Sequence, residues 1–332
     1  MKTKQWSRLL FAVCLLLCLA APSARCEDSA IAQPDANYRF VEYPLERAGV
    51  ALHLTRIDAK DVEPEKDILL VHGVTYSSHE FDVNYKDYSL ARRLAREGYS
   101  VWLLDIAGFG GSQPVEDGFA PDTDYAAEDI NAAVERIVDA TGRDKIDVLG
   151  WSWGTVTVGR FAISRPEHID KVVLYAPILC GVGEIEVSEP FHRNTWEHSV
   201  EDFQRREDGS FDEEITDPVV REFWASSCWR RDGDSSPNGG RRDLCVDPSV
   251  KLIDLSKLSR PTLVICGTRD PYLNYELVDR CLDLLPEGSR LEKIEGGAHA
   301  VFVEKPHYRD FQERALRFLA PKADNISPPR PR

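Results

Sequence analysis

At residues 149–155 the chain reads L-G-W-S-W-G-T, a serine between two tryptophans that themselves stand between two glycines. A serine hydroxyl is a poor nucleophile until a base takes its proton, and the base needs a further group to orient it. Two loops later in the chain offer both: G-T-R-D-P (267–271) carries Asp270, and G-G-A-H-A (296–300) carries His299. Hydroxyl, carboxylate and imidazole in this order point to nucleophilic chemistry on an acyl group, with Ser152 attacking, His299 as general base and Asp270 orienting it. Asp270 also has the place of an ordinary turn residue before Pro271, and Glu276 and Asp279 follow as weaker acids. His307 reads as a helix-start residue after Pro306, whereas His192 and His198 lie in a different part of the chain, within reach of a substrate but not of the serine's proton.

These groups need elements that bring them to one place. Apolar runs stand at 67–72, 100–105, 145–150, 171–176 and 261–266. Unbroken apolar character marks strands covered on both faces, as in a parallel sheet. Helix-like segments lie between them at 88–98, 125–141 and 153–165, the last stopped by Pro166. A strand at 291–295 and a helix at 307–319 close the pattern. Strand and helix in alternation give an α/β fold with a doubly wound, mostly parallel sheet.

In that fold Ser152 falls on the reversal from strand to helix, and Asp270 and His299 follow strand ends at the edge where ligands collect. So sharp a reversal strains the backbone and crowds the chain two residues either side, where Gly150 and Gly154 add no Cβ. A tetrahedral intermediate needs oxyanion donors, and the backbone N–H groups of Trp153 and Val74 are the candidates. His72 and Gly73 shape the loop that carries Val74. The turn D-I-A-G-F-G-G-S (105–112) lacks the third glycine of a dinucleotide loop and reads as structural.

From 177 to 260 no buried-strand pattern appears; the stretch is acidic and contains Trp196, Trp224 and Trp229. So long a connection reads as an inserted cap of short helices. With Trp151, His72 and Gly73, those tryptophans are the candidate lining of an apolar, partly aromatic pocket, and Trp153 would lie along its wall. The same rings serve equally to hold the cap to the sheet. The organisation is therefore a leader over 1–26, core over 27–176, cap over 177–260, core over 261–319 and a disordered tail over 320–332.

The leader has Lys2, Lys4 and Arg8 before an apolar run from Leu9 to Ala21. As a helix that run rises about 20 Å, short of the roughly 30 Å a bilayer requires, so it reads as a secretory signal peptide and no stable membrane span is expected. Export makes disulfides possible, and Cys228 and Cys245, which bracket a polar loop, are the preferred pair. The absence of C-x-x-C spacing argues against a zinc site, and the chemistry calls for no metal or cofactor. With a net charge of −15 over 332 residues, the chain repels phosphate backbones, so nucleic acid is not an expected partner.

Taken together, L-V-H-G, the D-x-x-G-x-G-x-S turn, G-W-S-W-G, G-T-R-D-P and G-G-A-H occur in the order in which the α/β-hydrolase superfamily has them, and the sequence resembles that family over roughly 41–319. The resemblance implies an eight-stranded, mostly parallel sheet with a cap after the sixth strand, and the roles given above for Ser152, Asp270 and His299. A serine at 152 is unlike the haloalkane dehalogenase and epoxide hydrolase branches, which use aspartate there. Ala107 departs from the larger or charged residue many relatives carry. The expected activity is that of a secreted serine hydrolase acting on a small-molecule ester with an apolar acyl group. Amide hydrolysis of an aminopeptidase kind, a lactone, or a carbon–carbon bond beside a ketone suits the same machinery. A binding protein without turnover is the reading from another class.

Overall fold

The computed structural model describes residues 36–320; the proposed leader and all but the first residue of the proposed tail lie outside them. Strands β1 (Tyr38–Arg47) and β2 (Val50–Ala59) form an antiparallel hairpin. The turn residues Ala48 and Gly49 have φ of 51° and 79°, the left-handed pair that a tight hairpin requires. The apolar runs then appear as β3 (Lys66–Val71), β4 (Tyr99–Asp105), β5 (Ile146–Trp151) and β6 (Ile169–Tyr175). After a long insertion that carries β7 (Phe191–Arg193) and β8 (Ser235–Pro237), the sheet is completed by β9 (Thr262–Gly267) and β10 (Arg290–Ile294). The order across the eight-stranded sheet is β1-β2-β4-β3-β5-β6-β9-β10. Pairings from β4 through β10 are parallel, and those of β2 with β1 and β4 are antiparallel.

The helices cover both faces. On one side α1 (Leu90–Arg96) packs with side chains such as Ile68, Leu70 and Leu149. On the other, α2 (Thr123–Thr141) and α3 (Trp153–Ser164) pack with their neighbours along the same strands, Leu69, Val71 and Val148. Successive strand residues point to opposite faces, so a strand with apolar side chains at every position is stable only between two such layers. In the insertion lie α4 (Trp196–Ser199), α5 (Pro218–Asp232) and α6 (Gly239–Leu244), with β7 and β8 paired antiparallel. Helix α7 (Tyr275–Asp279) follows β9, and α8 (Tyr308–Leu319) returns to the α1 face.

Candidate active site

Ser152 is the single residue between the end of β5 and the start of α3. Its backbone is left-handed, at φ 55° and ψ −122°, a conformation that costs a serine on the order of 1–3 kcal/mol. The flanking glycines are obligatory. A Cβ on Gly150 would lie 2.1 Å from the Gly154 carbonyl oxygen, and one on Gly154 would lie 2.4 Å from that of Val71. The Ser152 hydroxyl has no hydrogen-bond partner among the described residues, and it opens on a cavity of about 650 Å³.

Asp270 and His299 arrive at the same place from the ends of β9 and β10. His299 Nδ1 and Asp270 Oδ2 are 2.8 Å apart, both residues are buried, and His299 lines the cavity beside Ser152. Burial is the largest single effect and would lower the imidazole pKa, but the charge and hydrogen bond of Asp270 together with the charge of Asp202 hold His299 above its ordinary value. The His299 carbonyl accepts from Tyr175 Oη at 2.8 Å and from Trp151 Nε1 at 3.3 Å. Glu304 accepts from the Ala298 N–H at 3.0 Å. Three residues outside the motifs' reacting positions therefore hold the histidine loop, and no short motif announces Tyr175 or Glu304.

The loop after β3 forms the other rim. A Cβ on Gly73 would stand 3.2 Å from Ser152 Cβ, a tight contact, so the chain runs close to the serine here. His72 is buried beneath this loop, outside the cavity. Its Nε2 accepts from the Ile106 N–H at 3.1 Å, so Nδ1 carries the proton and donates to the Gly73 carbonyl at 2.7 Å. Burial lowers its pKa and keeps it neutral. In a trans peptide the N–H points opposite to the C=O, so this bond fixes the direction of the Val74 N–H. Thr75, next along, has φ 90°, which is strained for a β-branched residue. The Trp153 N–H lies in the first turn of α3, where no intrahelical acceptor exists. Asp105, in the glycine-rich turn, accepts from Ser78 N, Gly111 N and His53 Nδ1 at 2.9–3.0 Å; the turn is a structural brace.

The tryptophans divide differently from the sequence expectation. Trp151 lines the cavity and meets Trp224 edge to face, and Trp224 lines it too. Trp153 is wholly buried, away from the cavity. Its Nε1 donates to Thr123 Oγ1 at 3.0 Å, and α6 rests on its ring so closely that a Cβ on Gly240 would lie 2.3 Å from it. Trp196 and Trp229 are 39% and 42% exposed on the insertion and do not line the cavity. His72, Trp196 and Trp229 are therefore not pocket residues, whereas Gly73 and Val74 are. The insertion contributes Ile178, Val182, Leu244, His192, His198 and Arg241 to the walls.

Cys228 and Cys245 are both free thiols, so the disulfide expected between them is absent. Cys228 is buried on the inner side of α5. The polar loop it begins is ordered without a bridge. Asp232 accepts from Gly110 N and Ser77 N at 3.0 and 3.2 Å, β8 pairs with β7, and Gly239 and Gly240 pack against Pro121 and Trp153. Among the described residues no three His, Cys, Asp or Glu side chains group as a metal site would require, and no helix is long and apolar enough to cross a membrane.

A family model described as the alpha/beta hydrolase fold matches residues 67–306, and the chain belongs to that family. It is similar to the polyketide synthase ThaQ of Burkholderia thailandensis, 28% identical over 251 residues that make up 69% of this chain and 11% of the synthase. It is also similar to lipase member K of Mus musculus, 28% identical over 197 residues, 51% of this chain and 48% of the lipase. The chain thus spans about a tenth of the first and about half of the second. Among solved structures, carboxylesterase CesB of Bacillus subtilis has the same fold, with a TM-score of 0.57 at 17% identity over 85% of this chain and 92% of that one.

Proposed function

We propose that the protein is an exported serine hydrolase that cleaves carboxylic esters. The observation that carries this reading is the buried Asp270–His299 pair, 2.8 Å apart, whose histidine opens on the same cavity as a serine held at φ 55°. His299 takes the Ser152 proton as the hydroxyl oxygen attacks the ester carbonyl. The oxyanion is received by the N–H groups of Val74 and Trp153, the first aimed by His72 and the second favoured by the α3 dipole. The tetrahedral intermediate collapses, His299 protonates the leaving alkoxide, and water repeats the sequence to free the acid and Ser152. Asp270 accepts the hydrogen bond from the imidazole and steadies the imidazolium. The missing hydrogen bond to Ser152 accords with a bond that tightens only when substrate fills the cavity.

Residues 177–260 act in this reading as a cap, whose Trp224, Ile178 and Leu244 offer the acyl chain an apolar wall together with Trp151. The leader over 1–26 accounts for export. Kinetics on p-nitrophenyl esters test the proposal. Ser152→Ala should lower kcat on the order of 10⁵-fold or more with an unchanged circular dichroism spectrum. Near-normal turnover in that variant would remove Ser152 from the mechanism.

A further inference from the structure

Arg241 lines the cavity from α6, and among the described residues no carboxylate lies within ion-pair distance of it, although Glu201 and Asp202 act on it through longer-range charge. Its Nε donates to Asn238 Oδ1 at 3.1 Å and its Nη2 to Thr75 Oγ1 at 2.6 Å, both neutral acceptors. Among the described residues its other guanidinium hydrogens meet no acceptor, and no acid lies within ion-pair distance. Of the acids that line the cavity, Glu201 meets His198 Nε2 at 3.2 Å, and Glu80, Glu186, Glu189 and Asp202 stand beyond ion-pair distance of the guanidinium. That an arginine in a chain with 56 acidic residues lacks a carboxylate is informative, because a desolvated charge is unfavourable until a counter-ion reaches it. A planar guanidinium fork matches a carboxylate with two parallel N–H···O bonds.

The fork is close to the nucleophile. Its contact residue Thr75 lies two positions beyond Gly73, where an added Cβ would stand 3.2 Å from Ser152 Cβ. Two residues of chain span at most about 7 Å. Ser152 and Arg241 line the same cavity, so an acyl group on Ser152 can carry an anion toward the guanidinium. The support behind the arginine is built as well: Asn238 Nδ2 donates to the Glu189 carbonyl at 3.0 Å, and its backbone N–H donates to that of Gly118 at 2.9 Å.

We propose that Arg241 selects acyl substrates that end in a carboxylate a few carbons from the scissile carbonyl, such as monoesters of a short dicarboxylic acid. This rests on the ester-hydrolase reading and names the substrate class for it. Because Arg241 also braces Thr75 beside the oxyanion loop, its loss will slow every substrate, and the discriminating quantity is a ratio. The test compares kcat/KM for mono-p-nitrophenyl glutarate and p-nitrophenyl pentanoate, with calorimetric titration of free glutarate as a second arm. The wild type should favour the glutarate ester at least tenfold. Arg241→Met should lower that ratio at least tenfold and weaken glutarate binding to match. Thr75→Val, which removes only the brace, should lower both esters together and leave the ratio intact. No preference in the wild type, preference for a cationic amino ester, or an equal fall of both esters in Arg241→Met would overturn the assignment. Should a folded wild type cleave neither ester, the hydrolase reading fails by itself. Glutarate binding that Arg241→Met abolishes would still sustain the anion site, and no binding would overturn it.

Discussion

His299 owes its basicity to a contest between two opposing effects. Burial disfavours the imidazolium, and Asp270 at 2.8 Å together with the charge of Asp202 favours it more strongly, so the pKa is raised above its ordinary value of 6.5. The base must be neutral to accept the serine proton, so activity is lost as pH falls through that raised value. The acid limb of kcat/KM should therefore have its midpoint above pH 6.5, and in Asp270→Asn it should move down while kcat falls. A pH–rate profile on a neutral ester reads this directly, and a midpoint near pH 5 would contradict the pairing. Ser152, Asp270 and His299 were readable in the sequence because each sits in a short motif whose glycines have steric reasons. Arg241, Thr75 and Tyr175 were not: they reach the site through tertiary contacts that no local spacing encodes. The role of the tryptophans was misjudged for a related reason. Residues 151 and 153 straddle a reversal, and the sequence does not tell which ring turns to the cavity and which goes under α6.

Among the elements, strands buried on both faces were readable because every position is apolar, and the helices between them because proline and polar breaks bound them. The β1–β2 hairpin gave no comparable run: its outer strand is largely exposed, so its side chains alternate in a way that resembles loop. The short elements of the insertion were read only as a class, since α4 and α6 are too brief to show a helical period. Their docking depends on small residues. Gly240 places α6 directly on the Trp153 ring, with 2.3 Å available to a Cβ. Gly240→Ala should therefore push α6 off the ring and destabilise the protein by roughly 1–3 kcal/mol, the usual cost of overpacking. Because α6 carries Arg241, the same variant should lose activity. Urea denaturation measures the first effect, and an unchanged midpoint would show that α6 does not rest on Trp153. The expected Cys228–Cys245 bridge reflects the opposite error, in which a polar loop was assumed to need a covalent tie when packing and Asp232 already order it.

At the scale of the whole molecule, the composition placed the chain among globular proteins, and its −15 charge set it against polyanions. That same acidity made Arg241 in the cavity invisible, because net charge averages over a surface on which one cation counts for little. The fold brings the C-terminal ends of β5, β9 and β10 to one edge and lays the insertion above them. Ser152 and His299 thereby meet on one cavity with Asp270 hydrogen-bonded to the histidine, although the three stand 29 to 147 positions apart in the chain. Family membership follows from this architecture; activity follows only if Ser152 is activated.

The most direct measurement of that activation is labelling of the purified protein with a fluorophosphonate, the adduct located by peptide mass spectrometry. One adduct is expected, on Ser152, formed rapidly in the wild type and lost in His299→Ala. A folded wild-type protein that takes no label, or a label on Ser152 that His299→Ala leaves undiminished, would contradict it.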